Sequence, residues 1–270
     1  MPEGHTIHRL AKDYAAAFPH GIPLHVTSPQ GKFSDAAALL TGTPLHTTEA
    51  HGKHLFLRFA ADWIHIHLGL FGKVTFGPAP APPPTDTVRL RLTDADTSYV
   101  DLRGPTTCAL ITDPEKQAIH DRLGPDPLRP DADPDAAYRR ISRSRTTIAA
   151  LLMDQKVIAG VGNVYRAEVL FRHGIDPYRT GRDITPTEWE SIWTDLLALM
   201  HEGVRNNRID TVRPEHTPQA MGRPPRVDDH GGEVYVYRRA NRPCHICGGE
   251  IRTAGLAARN LFWCPTCQKN

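Results

Sequence analysis

Two Cys-x-x-Cys pairs constrain this chain more than any other feature. They are Cys244-His245-Ile246-Cys247 and, sixteen residues on, Cys264-Pro265-Thr266-Cys267. Each pair forms a tight knuckle with both sulfurs facing one ion. Four thiolates close a tetrahedral shell and leave no position for water. The spacing therefore predicts one structural, non-catalytic Zn2+ per chain. The hairpin between the knuckles carries Arg252 and Arg259, a basic element suited to reading phosphates, although a zinc ribbon also serves as a plain structural clip. From Arg238 to Asn270 six Lys or Arg stand against one acid, Glu250. Basic charge is thus concentrated here, while the whole chain carries only +2. No basic patch followed by an apolar run opens the sequence, and no stretch is long and apolar enough to span a membrane. A cytoplasmic location of the bacterial cytosol or nucleoid type is expected. There, five cysteines point to metal or free thiols rather than disulfides.

The 270 residues allow one large domain or two or three small ones. Residues 4–18 read as a helix, with Ile7, Leu10, Ala11, Tyr14 and Phe18 on one apolar face and His5 and His8 turned to solvent. Strand-like runs follow at 24–27, 54–60, 63–68, 74–76, 88–92, 98–102 and 108–111, separated by turn residues, and predict an all-β sandwich. Cys108 falls in the last run as a small buried residue. A polar, proline-rich linker occupies 120–134. Helices are predicted over 134–141, 147–155, 162–173 and 185–204, the last opened by Thr185, Pro186 and Glu188. A long Pro/Gly-rich loop covers 205–233.

Four further stretches carry chemistry. If Met1 is removed, Pro2 becomes a free secondary amine able to form an iminium with an aldehyde-like carbon. An α-amino group titrates at about 7.7–8.0, against about 10.4 for lysine, so more of it is neutral at pH 7. Glu3 stands beside it for proton transfer, although a Met-Pro start with an acid opening a helix is also common. The run Ala159-Gly160-Val161-Gly162-Asn163-Val164-Tyr165 joins glycine turns to a helix start. It reads either as an anion seat with Asn163 aimed at a phosphate or as a plain helix corner with an Asn cap. Gly52-Lys53-His54 places a lysine at a β-turn, ordinarily a solvated position. His67-Leu68-Gly69-Leu70-Phe71-Gly72 sets two apolar residues on a glycine-flanked loop, either as core or as a wedge filling the gap left by an extruded base.

Taken in order and spacing, these pieces resemble the formamidopyrimidine-DNA glycosylase/endonuclease VIII family of bifunctional DNA repair glycosylases, closest to the endonuclease VIII branch. The resemblance spans nearly the whole chain. It rests on Met1-Pro2-Glu3-Gly4, Gly52-Lys53, His67 to Gly72, Arg122-Leu123-Gly124-Pro125-Asp126, Leu152-Met153-Asp154-Gln155, Gly160-Val161-Gly162-Asn163, and Arg259 through Gln268. It implies a multidomain α+β fold: an N-terminal β-sandwich with leading helix over 1–122, a helix–two-turn–helix domain over 123–235 and a four-cysteine zinc finger over 236–270. DNA would lie in the cleft between domains. By the same resemblance Pro2 is the nucleophile at the sugar C1′, Glu3 moves protons around the sugar ring, and Lys53 contacts the adjacent phosphate and assists β-elimination. Asn163 and Arg259 grip flanking phosphates, with Arg259 tied to δ-elimination. Arg122 and His67 add DNA contacts, Leu70 and Phe71 insert into the duplex, and Cys244, Cys247, Cys264 and Cys267 hold the zinc.

Two departures bear on function. His5-Thr6 stands where many members carry Pro-Glu or a similar acidic residue, which removes a helper carboxylate. Asp101-Leu102-Arg103-Gly104-Pro105 lacks the arginine-x-phenylalanine wedge of the oxidised-purine branch and argues for pyrimidines. The expected function is therefore a base-excision DNA glycosylase and abasic-site lyase acting on oxidised pyrimidines. Its partner is damaged double-stranded DNA, with single-stranded DNA left open, and it acts as a monomer. The alternatives are a preference for oxidised purines, a catalytically weak binder of abasic or damaged DNA, and a zinc-ribbon regulator. The last leaves the free proline unexplained.

Overall fold

The computed structural model describes residues 2–94, 97–227 and 232–269. Met1, whose removal the N-terminal reading requires, lies outside the described residues, as does 228–231 of the long loop. The chain divides into two compact units, Pro2 with Thr6–Arg122 and Glu3–His5 with Leu123–Asn270.

The first unit begins with α1 (Gly4–Ala17). Its face of Ile7, Leu10, Ala11 and Tyr14, with Phe18 just beyond, is buried as the helical spacing predicts. Then come β1 (Pro23–Thr27), α2 (Ser34–Leu40), β2 (Thr43–His51), β3 (His54–Phe59), β4 (Asp62–His67), β5 (Lys73–Pro78), β6 (Val88–Thr93), β7 (Ser98–Arg103), β8 (Thr107–Ile111) and α3 (Asp113–His120). The strands pair antiparallel in the order β5-β7-β6-β1-β2-β3-β4-β8. β1 meets β2 only at Pro23–Pro44 and Leu24–Thr43, so the ladder divides there into two four-stranded halves. Leu90, Leu92 and Leu102 of one half share a core with Leu55, Leu57, Ile64 and Ile66 of the other and with α1. Each such buried side chain stabilises the unit by roughly 1.5–3 kcal/mol. Asp101, wholly buried, accepts from Arg91 Nε and Nη2 at 2.6 and 2.8 Å and from Arg103 Nη2 at 2.7 Å. Arg103 is thereby committed to an internal ion pair. The strand reading lacked β2 and the helix reading lacked α2 and α3. Cys108 is half-buried in β8, and burial pushes its thiol up to about 12.

The second unit contains α4 (Pro134–Ile141), α5 (Ile148–Leu151), α6 (Asn163–Arg172), α7 (Pro186–Asn206), α8 (Pro218–Met221), β9 (Arg252–Leu256) and β10 (Arg259–Trp263). Thr185 and Glu188 form a capping box at α7. The helix predicted over 147–155 ends at Leu151. Beyond it, Asp154 Oδ1 accepts from Lys156 N at 2.9 Å, and Gln155 turns its side chain onto the following loop, accepting from Gly160 N at 3.0 Å and donating to Val161 O at 2.9 Å. The loop 205–233 includes α8 and a 3-10 turn at Pro214–His216. α6 buries nearly its whole circumference, including Arg166 and Glu168. Glu168 accepts from Tyr235 N, Val236 N and Tyr237 N at 2.7, 2.8 and 2.8 Å and from Thr211 Oγ1 at 2.6 Å. It thus satisfies a non-helical stretch of backbone that burial would otherwise leave unpaired. Leu261 and Phe262 of β10 join the same core as α6 and α7. Among the described residues no helix is long and apolar enough to cross a membrane.

Candidate functional site

In the second unit the glycine-rich turn before α6 holds an anion, and the anion is the carboxylate of Glu3. Glu3 is 0 % exposed. Its Oε2 accepts from Gly162 N at 2.9 Å and from Tyr165 N at 3.4 Å, and its Oε1 from Val164 N at 2.8 Å. The exposed N–H groups and positive dipole end of a helix suit a carboxylate as well as a phosphate. The backbone seat expected to face a phosphate is therefore filled from within the protein. Gly4 explains its own place in the N-terminal motif: its N–H donates to Gly160 O at 2.8 Å, and a Cβ there would meet Gly160 Cα and Met200 Cε, each at 2.8 Å. Only glycine allows the chain start to lie this close to the turn. His5, expected at the surface, is 5 % exposed and packs edge-on against Tyr165 with ring centroids 5.5 Å apart. A position in the first turn of a helix says nothing about what the following residues fold against, so the helical pattern assigned it wrongly. Burial and the nearby Glu3 charge hold the Tyr165 hydroxyl well above its ordinary range, and so neutral.

Asn163 and Arg259 belong to one cluster in this unit. Asn163, 5 % exposed, donates from Nδ2 to Asn260 O at 3.0 Å and accepts on Oδ1 from Arg166. Arg259 sits at the head of β10, its Nη1 donating to Ala258 O at 2.8 Å. Its buried Nε has no hydrogen-bond partner among the described residues. Burial, together with the charge of Arg259, lowers Arg166 to about 10, while Glu3 acts in the opposite sense. The sequence reading passed over Arg166 and Glu168. Charged residues three and five places into a helix ordinarily mark its solvent face, and a pattern of one chain segment does not reveal partners a hundred residues away.

The first unit holds the remaining candidates. Gly52, at positive φ, and Lys53 make the two-residue turn between β2 and β3, the conformation a tight hairpin with glycine first requires. The register sets His51 opposite His54, His54 opposite His67, and His67 opposite Thr107. Lys53 and His67 thus share one end of the sheet. His54 and His67 pack with centroids 4.9 Å apart, and His54 Nδ1 lies 2.9 Å from His65 Nε2. Lys53 is half-buried rather than fully solvated. Burial first, then Lys53, lowers the pKa of His67. Arg122 is exposed, its Nε on Ala118 O at 3.1 Å, and its charge reaches His54 and His65. At the same sheet end the turn after β4 exposes Leu70 by 48 % and Phe71 by 87 %. Buried Leu68 anchors it, Gly72 N donates to Leu68 O at 3.0 Å, and Thr106 closes over Gly69. Two apolar side chains are thereby held in water on a rigid turn, and the core alternative for them fails.

The cysteines meet the test for zinc. All four Sγ atoms lie within 4.8 Å of one another, the described metal-competent cluster, and none is in a disulfide. Cys247 and Cys264 sulfurs are 3.5 Å apart and Cys244 and Cys267 3.8 Å, close to the ~3.8 Å edge of a tetrahedron with Zn–S near 2.3 Å. Ile246 N and Gly249 N each donate to a cysteine sulfur at 3.4 Å, supporting thiolate charge.

Comparison with known proteins agrees with this geometry. Three family profiles match: the formamidopyrimidine-DNA glycosylase N-terminal domain over residues 1–108, the formamidopyrimidine-DNA glycosylase H2TH domain over 123–213, and a zinc finger found in FPG and IleRS over 242–270. Endonuclease 8 1 of Mycobacterium tuberculosis is 51% identical over 99% of this chain and 100% of its own length. Formamidopyrimidine-DNA glycosylase of Photorhabdus laumondii is 32% identical over 80% of this chain and 79% of its own. The fold is also that of Lactococcus lactis Fpg solved with abasic-site DNA, with TM-score 0.77, 22% identity and coverage of 99% and 100%. The chain belongs to the formamidopyrimidine-DNA glycosylase/endonuclease VIII family of DNA glycosylase/lyase enzymes.

Proposed function

We propose that this protein excises oxidised pyrimidines from double-stranded DNA and nicks the strand at the resulting abasic site, using Pro2 as nucleophile. The observation that carries this reading is the seat of Glu3. A carboxylate one residue from the N-terminal amine is wholly buried and fixed by three backbone N–H groups, a fixation that a merely helix-opening acid does not need. With Met1 removed, the neutral Pro2 amine attacks C1′, the C1′–base bond breaks and the base leaves with the proton of the amine; the C1′–O4′ bond then opens, O4′ takes a proton from Glu3, and the nitrogen lone pair closes the iminium. The iminium acidifies the C2′ proton. Its removal expels the 3′ phosphate, and a second elimination releases the 5′ phosphate. Glu3 carries protons around the sugar, Lys53 assists the first elimination at the neighbouring phosphate, and Arg259 the second. Asn163, Arg122 and His67 bind backbone phosphates, and the cations Lys53, Arg122 and Arg259 make affinity strongly salt-dependent. Leu70 and Phe71 replace the flipped base in the stack, offsetting part of an unstacking cost of a few kcal/mol. Arg103, spent on Asp101, supports the pyrimidine preference, since that segment offers no free arginine to the base opposite an oxidised purine. One Zn2+ per chain holds the β9–β10 hairpin and takes no part in the chemistry.

Borohydride trapping of the untagged protein on a duplex with one abasic site, beside Pro2→Gly, tests this. A covalent complex that weakens or vanishes in the variant is expected. Tight binding without trapping would replace the reading by that of a damage-binding protein and point to His5-Thr6 as the altered positions.

A further inference from the structure

We infer that Arg166 is a positioning residue that makes Asn163 a hydrogen-bond donor toward DNA. This rests on the assignment of Asn163 to a backbone phosphate. An asparagine amide offers an acceptor at Oδ1 and two donors at Nδ2, and the two ends are nearly alike in shape, so its neighbours decide which way it points. Against a phosphate, only the nitrogen end attracts; the oxygen end repels. In this protein the oxygen end faces a guanidinium, which can only donate, and the nitrogen end faces a backbone carbonyl, which can only accept.

Arg166 projects from the first turn of α6 and is 0 % exposed. One of its terminal nitrogens, Nη2, donates to Asn163 Oδ1 and also lies 3.4 Å from Asn260 O; Nη1 lies 3.5 Å from Ala149 O. The Asn163 oxygen is thereby turned inward. Its Nδ2 spends one hydrogen on Asn260 O at 3.0 Å and keeps the second for an acceptor outside the cluster. Asn260 O thus receives both residues, and it follows Arg259 directly, so the same guanidinium ties the start of α6 to the head of β10. The arrangement is costly. Arg166 Nε is buried with no hydrogen-bond partner among the described residues, and the charge of Arg259 acts against it. A plain structural brace between α6 and β10 could be built from apolar side chains without burying a charge. A donor-only group against Oδ1 adds to the Asn260 carbonyl against Nδ2 and makes the flipped amide doubly unfavourable.

The test is a double-mutant cycle on binding of a duplex bearing a tetrahydrofuran abasic analogue. Asn163→Ala and Arg166→Met should each weaken binding by about ten-fold, the size of one charge-assisted hydrogen bond. The double variant should bind no more weakly than Asn163→Ala alone. Asn163→Asp, which offers only acceptors, should bind more weakly than Asn163→Ala. The salt dependence of binding should keep its slope in Arg166→Met, because the buried guanidinium touches no phosphate. Losses that multiply in the double variant, or a slope reduced by about one phosphate, would overturn the positioning role while leaving Asn163 as a DNA contact. An unchanged affinity in Asn163→Ala would instead remove the Asn163 assignment itself. If Arg166→Met loses zinc or melts early, the cycle is run with Arg166→Gln, whose amide presents an acceptor as readily as a donor and so no longer holds Asn163 Oδ1 inward. A several-fold loss that disappears in the Asn163→Ala background supports the inference, and one that persists there overturns it.

Discussion

Gly162 and Glu3 leave no room for a side chain between them: the Gly162 N–H donates to Glu3 Oε2 at 2.9 Å, and a Cβ on Gly162 would overlap the carboxylate. The backbone of Gly162 is ordinary, with φ at −128°, so Gly162→Ala strains nothing locally and acts by displacing Glu3. Its glycosylase and lyase rates should fall as far as those of Glu3→Gln, by about 10²–10⁴-fold if Glu3 is the proton carrier. Zinc content should change little, while unfolding stability falls with the loss of the backbone hydrogen bonds that Glu3 accepts. An active Gly162→Ala would mean that the seat serves folding alone.

The imidazole pair His54–His65 makes the first unit sensitive to acid. Burial first, then neighbouring histidines and Arg122, lowers His54 to about 3 and His65 to about 4. Unfolded histidine titrates at about 6.5. Both groups are thus depressed on folding, so their neutral-state contribution is complete above about pH 6.5 and is lost as pH falls toward 4, where the unfolded chain binds protons that the folded chain refuses. Denaturant unfolding from pH 7 to 4.5 should show this decline. In His65→Phe, which can keep the stack on Phe56, the slope should be shallower by about one proton. Equal slopes in the two proteins would place the acid sensitivity elsewhere.

Zinc removal should separate DNA binding from the stability of the first unit. Stripping the metal, or Cys264→Ser, should release one Zn2+ per chain by metal analysis and unfold the ribbon, because four unliganded thiols cannot hold two knuckles together. Binding of abasic DNA should weaken with the loss of Arg259. The cooperative unfolding of the sheet core built on Leu55, Leu57 and Ile64 should persist. Unchanged DNA affinity in a metal-free protein would remove the hairpin from the DNA interface.

What the sequence displays and what it hides follow from the range of the interactions. The cysteine knuckles, α1 and most strands are set by spacing within one segment, and they stand where the spacing places them. β2 was missed because Thr43–His51 is mostly polar and its burial does not alternate. α3 was missed because it buries only Ile119. The helix beyond Leu151 was overextended because its apolar period runs on into turns held by Asp154 and Gln155 side chains. At the site, the glycine turn reads from sequence as either an anion seat or a plain helix corner, and its occupant, Glu3, lies 159 residues from Gly162. Arg166 was invisible for the same reason: its acceptor on Asn260 is 94 residues away.

In the β9–β10 hairpin local sequence and local conformation disagree. Leu256 pairs with Arg259, which leaves Ala257 and Ala258 as a two-residue turn, and both have positive φ, 52° and 55°. Such turns favour Asn-Gly, and the left-handed region costs an alanine roughly 1–2 kcal/mol through its Cβ. The strain sits directly before Arg259, whose Nη1 is anchored on Ala258 O, so the turn sets the direction in which that guanidinium leaves the strand. Replacing the pair by Asn-Gly keeps the carbonyl and relieves the strain. Ala257→Asn with Ala258→Gly should therefore raise unfolding stability of the second unit by about 1–2 kcal/mol and leave DNA affinity within about two-fold, less than the ~1.4 kcal/mol that a ten-fold change represents. Ala258→Val, β-branched at positive φ, should do the reverse and reduce strand cleavage along with stability. A destabilised Asn-Gly variant would show that the alanine methyls, though exposed, make contacts worth more than the strain they cause.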